Sequence, residues 1–439
     1  MDAFVGRADE IRYLEKIYAK RPVACAVCGR RHLGKTSILR RFCADKRHIY
    51  VSGIPGLHED NLREIARALS EFHGKPISID DVSDVFPIIK RVCAKRDVVV
   101  VIDRYSDLVE NFPEFTSYLR AFMNRDLSAT RIMLVVCDTD SSIFGRFYYT
   151  LDVRVMSYRD CRGFHPDYTP EQHLLAYSVV GGTPAYQRMF SGDPETVIRE
   201  KFFDHMSVFS LEAENMVNSE MALRSECVRV LSAMASGVEN VRDISSRTGL
   251  SASVCMRVLE EMEHKGMVSK ETSSGPSKRA VYTISSNILR FHYEVVNRFT
   301  VDMEYRSAAD AFERARPEIN SYLERAFKTL CMDTITLDYK YTFVGRVRKR
   351  DDSPDGMVDF VASLTEAGVN RTAIAKCRLH GEPFGKGDLE ALQARSKTIA
   401  GPNKLYFMFS GCGFTDELSE LAGSDGNVRL VSLADMYGQ

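Results

Sequence analysis

Along the first 160 positions, apolar residues alternate between short continuous runs and helix-spaced stripes. Ile11, Leu14, Ile17 and Tyr18 recur at helical spacing within Asp9 to Lys20, which predicts an amphipathic helix introduced by the turn Phe4-Val5-Gly6-Arg7. The runs Val23 to Val27, Ile49 to Val51, Val98 to Ile102 and Ile132 to Val136 predict strands, with a fifth at Val153 to Met156. Glu59 to Phe72, Val82 to Lys95 and Phe115 to Met123 read as the helices between them. Strands without polar alternation, separated by helices, predict a parallel sheet covered on both faces, the α/β layout, ending near residue 160.

Beyond that point the rhythm changes. Glu171 to about Val217 is helical in pattern, broken at Gly181-Gly182-Thr183-Pro184, and reads as a small helical lid. Near Glu226 three further helices are expected: one carrying Val228, Val230, Leu231 and Met234, one over Val241 to Arg247, and one over Ala252 to Lys265. Ile244 to Ser251 has the look of a helix-turn-helix turn, and Gly266-Met267-Val268 with Ala280 to Ile284 would be the two strands of a wing. From about Ala308, strands near Met357 to Ala362, Ala373 to Cys377 and Leu405 to Phe409 with helices between suggest a second α/β unit. The expected division is 1–160, 161–217, 218–304 and 305–439.

The segment Gly29-Arg30-Arg31-His32-Leu33-Gly34-Lys35-Thr36 has the spacing G-x-x-x-x-G-K-[ST]. It follows the run Val23 to Val27 and precedes a helical pattern at Ser37, Ile38, Leu39 and Phe42, the context of a phosphate-binding P-loop. Glycines at both ends let the backbone curl so that N–H groups and the helix N-terminus converge on phosphate oxygens. Lys35 is expected on the β/γ oxygens of a nucleotide and Thr36 on Mg²⁺. A second carboxylate must hold Mg²⁺ through water at the end of a neighbouring buried strand, and Asp103 sits there. The next position, where many such ATPases place a water-polarising Glu, is Arg104, and a guanidinium is no general base. Asp107 and Glu110 are alternative carboxylates, and Arg104 is equally readable as an ion-pair partner of Asp107. Asp138 or Thr139 occupies a γ-phosphate sensor position, or else caps the Ser141 to Phe144 turn. Arg146 is a candidate for stabilising transferred negative charge, or a solvated side chain.

Composition narrows the partners. A formal charge of -1 over 439 residues gives no global attraction to nucleic acid, so any such binding needs a local patch. The third of the three helices carries Arg257, His264 and Lys265 against Glu260, Glu261 and Glu263, while the wing offers Lys270, Lys278 and Arg279: enough for backbone contacts, not for sequence readout. DNA binding and intramolecular packing both remain open for this segment. Of eleven cysteines, Cys25 and Cys28 have C-x-x-C spacing in a strand, where they point to opposite faces, so core thiols are expected. The N-terminus lacks a signal layout and the aliphatic runs are strand-sized, which places the protein in the cytoplasm with no membrane partner.

With these residues laid out, nearly the whole chain resembles the archaeal-type P-loop ATPases, an AAA-like lineage with a winged helix and a C-terminal domain similar to restriction endonucleases. The matching segments are Phe4-Val5-Gly6-Arg7 with Glu10, GRRHLGKT, the strand ending at Asp103, Phe144-Gly145-Arg146, and Gly181-Gly182-Thr183-Pro184 with Tyr186. Later matches are Ser277-Lys278-Arg279 before Tyr282, Leu289-Arg290-Phe291, and Phe409-Ser410 with Gly413-Phe414-Thr415. The resemblance implies ATP and Mg²⁺ as ligands, Phe4, Val5, Gly6 and Arg7 near the adenine, residues Gly29 to Ser37 around the phosphates, and the GGTP turn in a lid. It also implies DNA or a protein as partner, with oligomers allowed.

Two departures qualify that expectation. Arg104 replaces the acid after Asp103, so slow or impaired hydrolysis is expected, with nucleotide acting as a conformational ligand. A nuclease-like domain needs an Asp and an acidic-x-Lys pair. Asp359 fits the first and Glu324 an upstream acid, but the pair aligns with Lys376-Cys377-Arg378, where a cation stands in place of a metal ligand. That domain is expected to be catalytically dead.

Overall fold

The computed structural model describes residues 4–56, 58–139, 147–204, 206–272, 280–347 and 358–438. The chain forms two compact units, residues 1–156 with 183–186, and residues 157–182 with 187–439.

In the first unit, α1 (Ala8–Tyr18) leads to β1 (Val23–Cys28), α2 (Lys35–Cys43), β2 (His48–Ser52), α3 (His58–His73), α4 (Val85–Val92) and β3 (Val98–Asp103). Then come α5 (Tyr105–Asn111), α6 (Phe115–Ala121), β4 (Ile132–Cys137) and β5 (Tyr149–Asp152). The five strands are all parallel in the order β2-β3-β4-β1-β5. Period-two alternation along the apolar runs splits the core in two: Val98, Val100 and Ile102 enter one cluster, Val99 and Val101 the other. Cys25 and Cys28 divide the same way, so the C-x-x-C pair does face opposite sides of the sheet. Register puts Ser52 beside Asp103 and Asp103 beside Cys137, which aligns the carboxyl ends of β2, β3 and β4 at one level. Open parallel sheets place ligands along such an edge.

The fifth strand differs from expectation, lying at Tyr149–Asp152 rather than Val153 to Met156. As an edge strand it buries one face only, with Tyr149 and Leu151 turned towards the core, so its apolar signal is half that of a central strand. Val153 follows it, buried, its N–H bonded to the Cys28 carbonyl at 2.7 Å.

The second unit opens with α7 (Tyr158–Cys161), α8 (Pro170–Val180), α9 (Pro184–Met189, whose first three residues group with the first unit), α10 (Pro194–Phe202) and α11 (Val208–Glu220). Helix α8 is started by a capping box of Thr169 and Gln172 with Pro170 at its first turn. Next are α12 (Arg224–Ala235), α13 (Val241–Thr248), α14 (Ala252–His264), β6 (Val268–Thr272) and β7 (Ala280–Ile284). Gly249, at φ 68°, ends α13, and the Ser251 side chain caps α14, so three residues turn one helix into the next. The first strand of the antiparallel β6/β7 pair begins at Val268, not Gly266, because Gly266 at φ 65° closes the preceding helix. Of the apolar residues that marked α12, Val230, Leu231 and Met234 are buried and Val228 is exposed.

The remainder comprises α15 (Asn287–Glu294), α16 (Thr300–Tyr305), the 31-residue α17 (Ala308–Asp338), β8 (Lys340–Arg346), β9 (Phe360–Glu366), β10 (Val369–Arg378), α18 (Lys386–Ser396), β11 (Lys404–Ser410), α19 (Asp416–Ser424), β12 (Val428–Ser432) and α20 (Leu433–Met436). A mixed sheet runs β12-β11-β10-β9-β8. No helix separates β9 from β10, contrary to expectation: Ala367 and Gly368, both at positive φ, close a two-residue hairpin. Among the described residues no helix is long and apolar enough to cross a membrane.

Candidate nucleotide-binding site

The loop between β1 and α2 is shaped by three positions with positive φ: Gly29 at 143°, His32 at 67° and Gly34 at 85°. A Cβ on Gly29 would stand 2.3 Å from the Val153 carbonyl oxygen, so the loop can pass only as glycine. Gly34 is the N-cap of α2 and supplies no side-chain acceptor, so the first-turn N–H groups of that helix have no side-chain cap. Arg30 and Arg31 flank the loop crown, Leu33 is buried beneath it, and Ser37 continues the first turn.

Lys35 opens α2 and turns back, its Nζ donating to the carbonyls of Gly29 at 2.5 Å and Arg30 at 2.8 Å. Burial lowers its pKa, opposed by the nearby Asp103 and Asp138 carboxylates. One residue on, the Thr36 hydroxyl donates to Asp103 Oδ2 at 2.7 Å. Sequence reasoning missed a third member of this cluster: the Tyr50 hydroxyl on β2 donates to the same oxygen, also at 2.7 Å. Burial, and then the Asp103 charge, raises the Tyr50 pKa, so its proton stays on the phenol. The signal available in sequence was weak, a single Tyr in a strand whose neighbour was unknown until register was fixed.

Arg104 follows Asp103 in a left-handed conformation at φ 54°, its N–H bonded to Asp103 Oδ1 at 3.0 Å. Its guanidinium reaches Asp107 Oδ2 at 2.7 Å, so the ion-pair reading of Arg104 holds and Asp107 is engaged. Glu110 lies exposed two turns along α5. Asp138 is buried, with Oδ2 accepting from the Ser106 N–H at 2.6 Å and the Ser106 hydroxyl at 2.7 Å, and Oδ1 accepting from the Thr139 N–H and hydroxyl. It therefore anchors the start of α5 beside Asp103; the Ser141 to Phe144 turn, which Asp138 or Thr139 would cap in one of the two readings, lies outside the described residues, as do Gly145 and Arg146.

The N-terminal turn joins this loop. Gly6 and Arg7 both take left-handed φ, Phe4 packs against the core under the sheet, and Val5 is half-buried. The buried Arg7 guanidinium pairs with Glu10 at 2.6 Å and donates to the Leu33 carbonyl at 2.9 Å, tying the turn to the crown of the loop. Thr183 to Tyr186 group with this unit, and the Tyr186 ring lies 5.9 Å from that of His32.

In the second unit, Asp359 sits just before β9. Its Oδ1 accepts from Lys328 Nζ at 2.6 Å, its Oδ2 from the Cys377 N–H at 2.8 Å, and Lys376 Nζ lies 3.7 Å away. Glu324 instead accepts from the backbone N–H groups of Leu379 and His380, and Arg378 pairs with Asp388 at 2.7 Å. Sequence reasoning missed Lys328, which stands on the carboxylate it had assigned to a metal. Leu289-Arg290-Phe291 and Phe409-Ser410 lie within the unit's packing, Arg290 over the Tyr322 ring and Ser410 bonded to the Gly413 carbonyl. Lys278, Arg279 and Met357 lie outside the described residues.

A Gly-bounded strand-to-helix loop, a buried Lys and a hydroxyl–carboxylate pair at the sheet's carboxyl edge define a P-loop ATPase fold. Residues 4–188 match the family described as an ATPase domain predominantly from Archaea. An uncharacterized protein of Methanocaldococcus jannaschii is 20% identical over 384 residues, covering 80% of this chain and 83% of its own length. The solved Walker-type ATPase of Pyrococcus abyssi shares the fold with a TM-score of 0.50 at 14% identity, over 66% of this chain and 96% of that one. The Orc1 protein of Aeropyrum pernix, solved in complex with DNA, gives a TM-score of 0.34 at 15% identity over 68% and 95% of the two chains.

Proposed function

We propose that this protein binds Mg-ATP at the β1–α2 loop, turns it over slowly, and uses the bound nucleotide to rearrange the rest of the chain. In this reading the N–H groups of Gly29 to Ser37 and the Lys35 ammonium hold the phosphates, and Phe4 to Arg7 lie beside the base. Thr36 and Asp103 hold Mg²⁺, whose chemistry when bound is to neutralise charge on the phosphate oxygens. An all-oxygen donor pair suits that hard ion. Arg146 would add positive charge where negative charge develops.

The observation that carries slow turnover is the Arg104–Asp107 pair: the position after Asp103 presents a cation, and the nearest alternative carboxylate is held by it. Neither group is placed to take a proton from water. Slow turnover favours a role in which ligand binding, rather than repeated hydrolysis, shifts a conformational equilibrium. The rest of the chain is then read as a helical lid over 161–217, a winged helix-turn-helix over 218–304, and a nuclease-like domain over 305–439 without metal-dependent cleavage.

The deciding measurement is steady-state Mg-ATP turnover with and without DNA, against Lys35→Ala as the control for contaminating activity. Turnover well below the ordinary enzyme median of about 10 per second, stimulated by DNA, supports a slow machine acting on nucleic acid. Turnover at or above that median without DNA overturns the slow-hydrolysis reading.

A second reading, a non-enzymatic nucleotide-gated binder of DNA or protein, is favoured by Lys328 on Asp359, since an ammonium there repels a metal. Nucleotide binding with no turnover above the Lys35→Ala control would select it.

A further inference from the structure

Three donors from three elements converge on one carboxylate. Asp103 Oδ2 accepts the Thr36 hydroxyl from α2 and the Tyr50 hydroxyl from β2, each at 2.7 Å, and Oδ1 accepts the Arg104 N–H at 3.0 Å. A carboxylate oxygen has about two lone-pair sites, so Oδ2 is filled by the two hydroxyls. The terminal torsion of Asp is broad and nearly two-fold, so its setting depends on the donors that hold its two oxygens. Beside Thr36 and the Arg104 N–H, the Tyr50 hydroxyl adds a hold on Oδ2 from a neighbouring strand.

The phenol is itself held. Tyr50 is central in β2, registered beside Val101 of β3, with Ser52 beside Asp103. Its ring packs against the core under the sheet, and the Arg40 guanidinium lies 5.8 Å from the ring centroid. Its hydroxyl is therefore delivered by a strand rather than by a loop. Thr36, for its part, has one proton and gives it to Asp103, which leaves its lone pairs for a cation.

We propose that Tyr50 is a positioning residue for the divalent cation: by holding Asp103 Oδ2 together with Thr36, it fixes the orientation in which the Thr36 and Asp103 oxygens meet the ion. The inference rests on the nucleotide-site reading above and goes beyond it, since nothing in the loop motif assigns a role to β2. Partners that orient metal-binding groups are worth about 10- to 100-fold in metal affinity, which sets the expected effect.

The test is binding of a fluorescent ATP analogue to the full chain, titrated with MgCl₂, for wild type, Tyr50→Phe, Asp103→Asn and the double variant. Tyr50→Phe should raise the half-saturating Mg²⁺ concentration by about tenfold or more, while affinity for the analogue in EDTA stays at its wild-type value. In the Asp103→Asn background, Tyr50→Phe should add nothing, because the phenol acts through that carboxylate. Tyr50→His, which keeps a ring donor, should recover part of the loss and also serves if Tyr50→Phe does not fold.

An unshifted Mg²⁺ dependence in Tyr50→Phe, with a shift in Asp103→Asn, overturns the role of Tyr50 and leaves the site reading intact. Additive effects in the double variant, or an equal loss of analogue affinity in EDTA, reduce Tyr50 to core packing. No shift in Asp103→Asn itself removes the metal-site reading on which the inference stands.

Discussion

The Arg104 guanidinium and the Asp107 carboxylate are 2.7 Å apart, one helical turn from the Asp103 carboxylate that accepts the Thr36 and Tyr50 hydroxyls. Arg104 is half exposed, so the pair contributes little to stability; its consequence is chemical. It places positive charge and occupies a carboxylate where hydrolysis calls for a proton acceptor. Arg104→Glu should raise Mg-ATP turnover by about tenfold or more, towards the 10²–10⁴ range of a positioned base. Unchanged turnover at unchanged ATP affinity would mean that hydrolysis is limited elsewhere.

Gly29 offers a sharper test of the loop. At φ 143°, with 2.3 Å between an added Cβ and the Val153 carbonyl oxygen, Gly29→Ala strains the backbone and collides with a group that cannot rotate away. The variant should lose about 2 kcal/mol or more of stability and bind ATP at least tenfold more weakly. Urea unfolding and analogue binding measure the two effects. A wild-type midpoint would show that the chain after β5 yields.

Much of this architecture is legible in the order of the amino acids alone. Three of the five strands of the first unit, β1, β3 and β4, show as apolar runs because central parallel strands bury both faces, edge strand β2 shows only through the short run Ile49-Tyr50-Val51, and the loop motif falls between β1 and α2 as its spacing demands. Arg104 is legible as both a missing acid and a partner for Asp107. The failures have a physical pattern. Edge strand β5 buries one face, so its signal slides onto Val153, and the β9/β10 hairpin turns on Ala367-Gly368, not the usual Asn-Gly. Tyr50 and Lys328 were invisible because each acts on a residue far along the chain, and only strand register or helix packing brings them together.

Asp359 tests the C-terminal site. Its carboxylate is nearly buried and shared among the Lys328 ammonium, the Cys377 N–H and, at 3.7 Å, Lys376. Asp359→Ala removes the carboxylate that accepts the Lys328 ammonium and the Cys377 N–H, which should cost about 2 kcal/mol. Neither wild type nor variant should show Mg²⁺-dependent cleavage of DNA, and EDTA should leave the wild-type unfolding of this unit unchanged. Cleavage by wild type that disappears in Asp359→Ala would restore a working nuclease.

Acid sensitivity follows from the buried histidines of the second unit: burial lowers His165, and His173 and His292 are shifted furthest. His173 is pushed down to about 4 by burial, then by His165 and Arg162, and His292 to about 4 by burial alone, with its Nδ1 lacking a partner. A base whose folded pKa lies below its unfolded value of about 6.5 binds its proton more readily when unfolded, so stability is full above about pH 6.5 and falls as pH drops towards 4. From pH 7 to pH 5 each histidine should withdraw about 2 kcal/mol. Asp333 works the other way: burial, outweighing Arg290 and Arg346, raises its carboxyl to about 6, so its protonated form favours the fold and returns about 1 kcal/mol at pH 5. The net expectation is a loss of about 2 to 3 kcal/mol between pH 7 and pH 5, read from urea unfolding at the two pH values. His173→Phe with His292→Phe should lose most of that sensitivity, since a phenylalanine fills each ring's place without a proton to bind. A double variant as acid-sensitive as wild type would assign the effect to other groups.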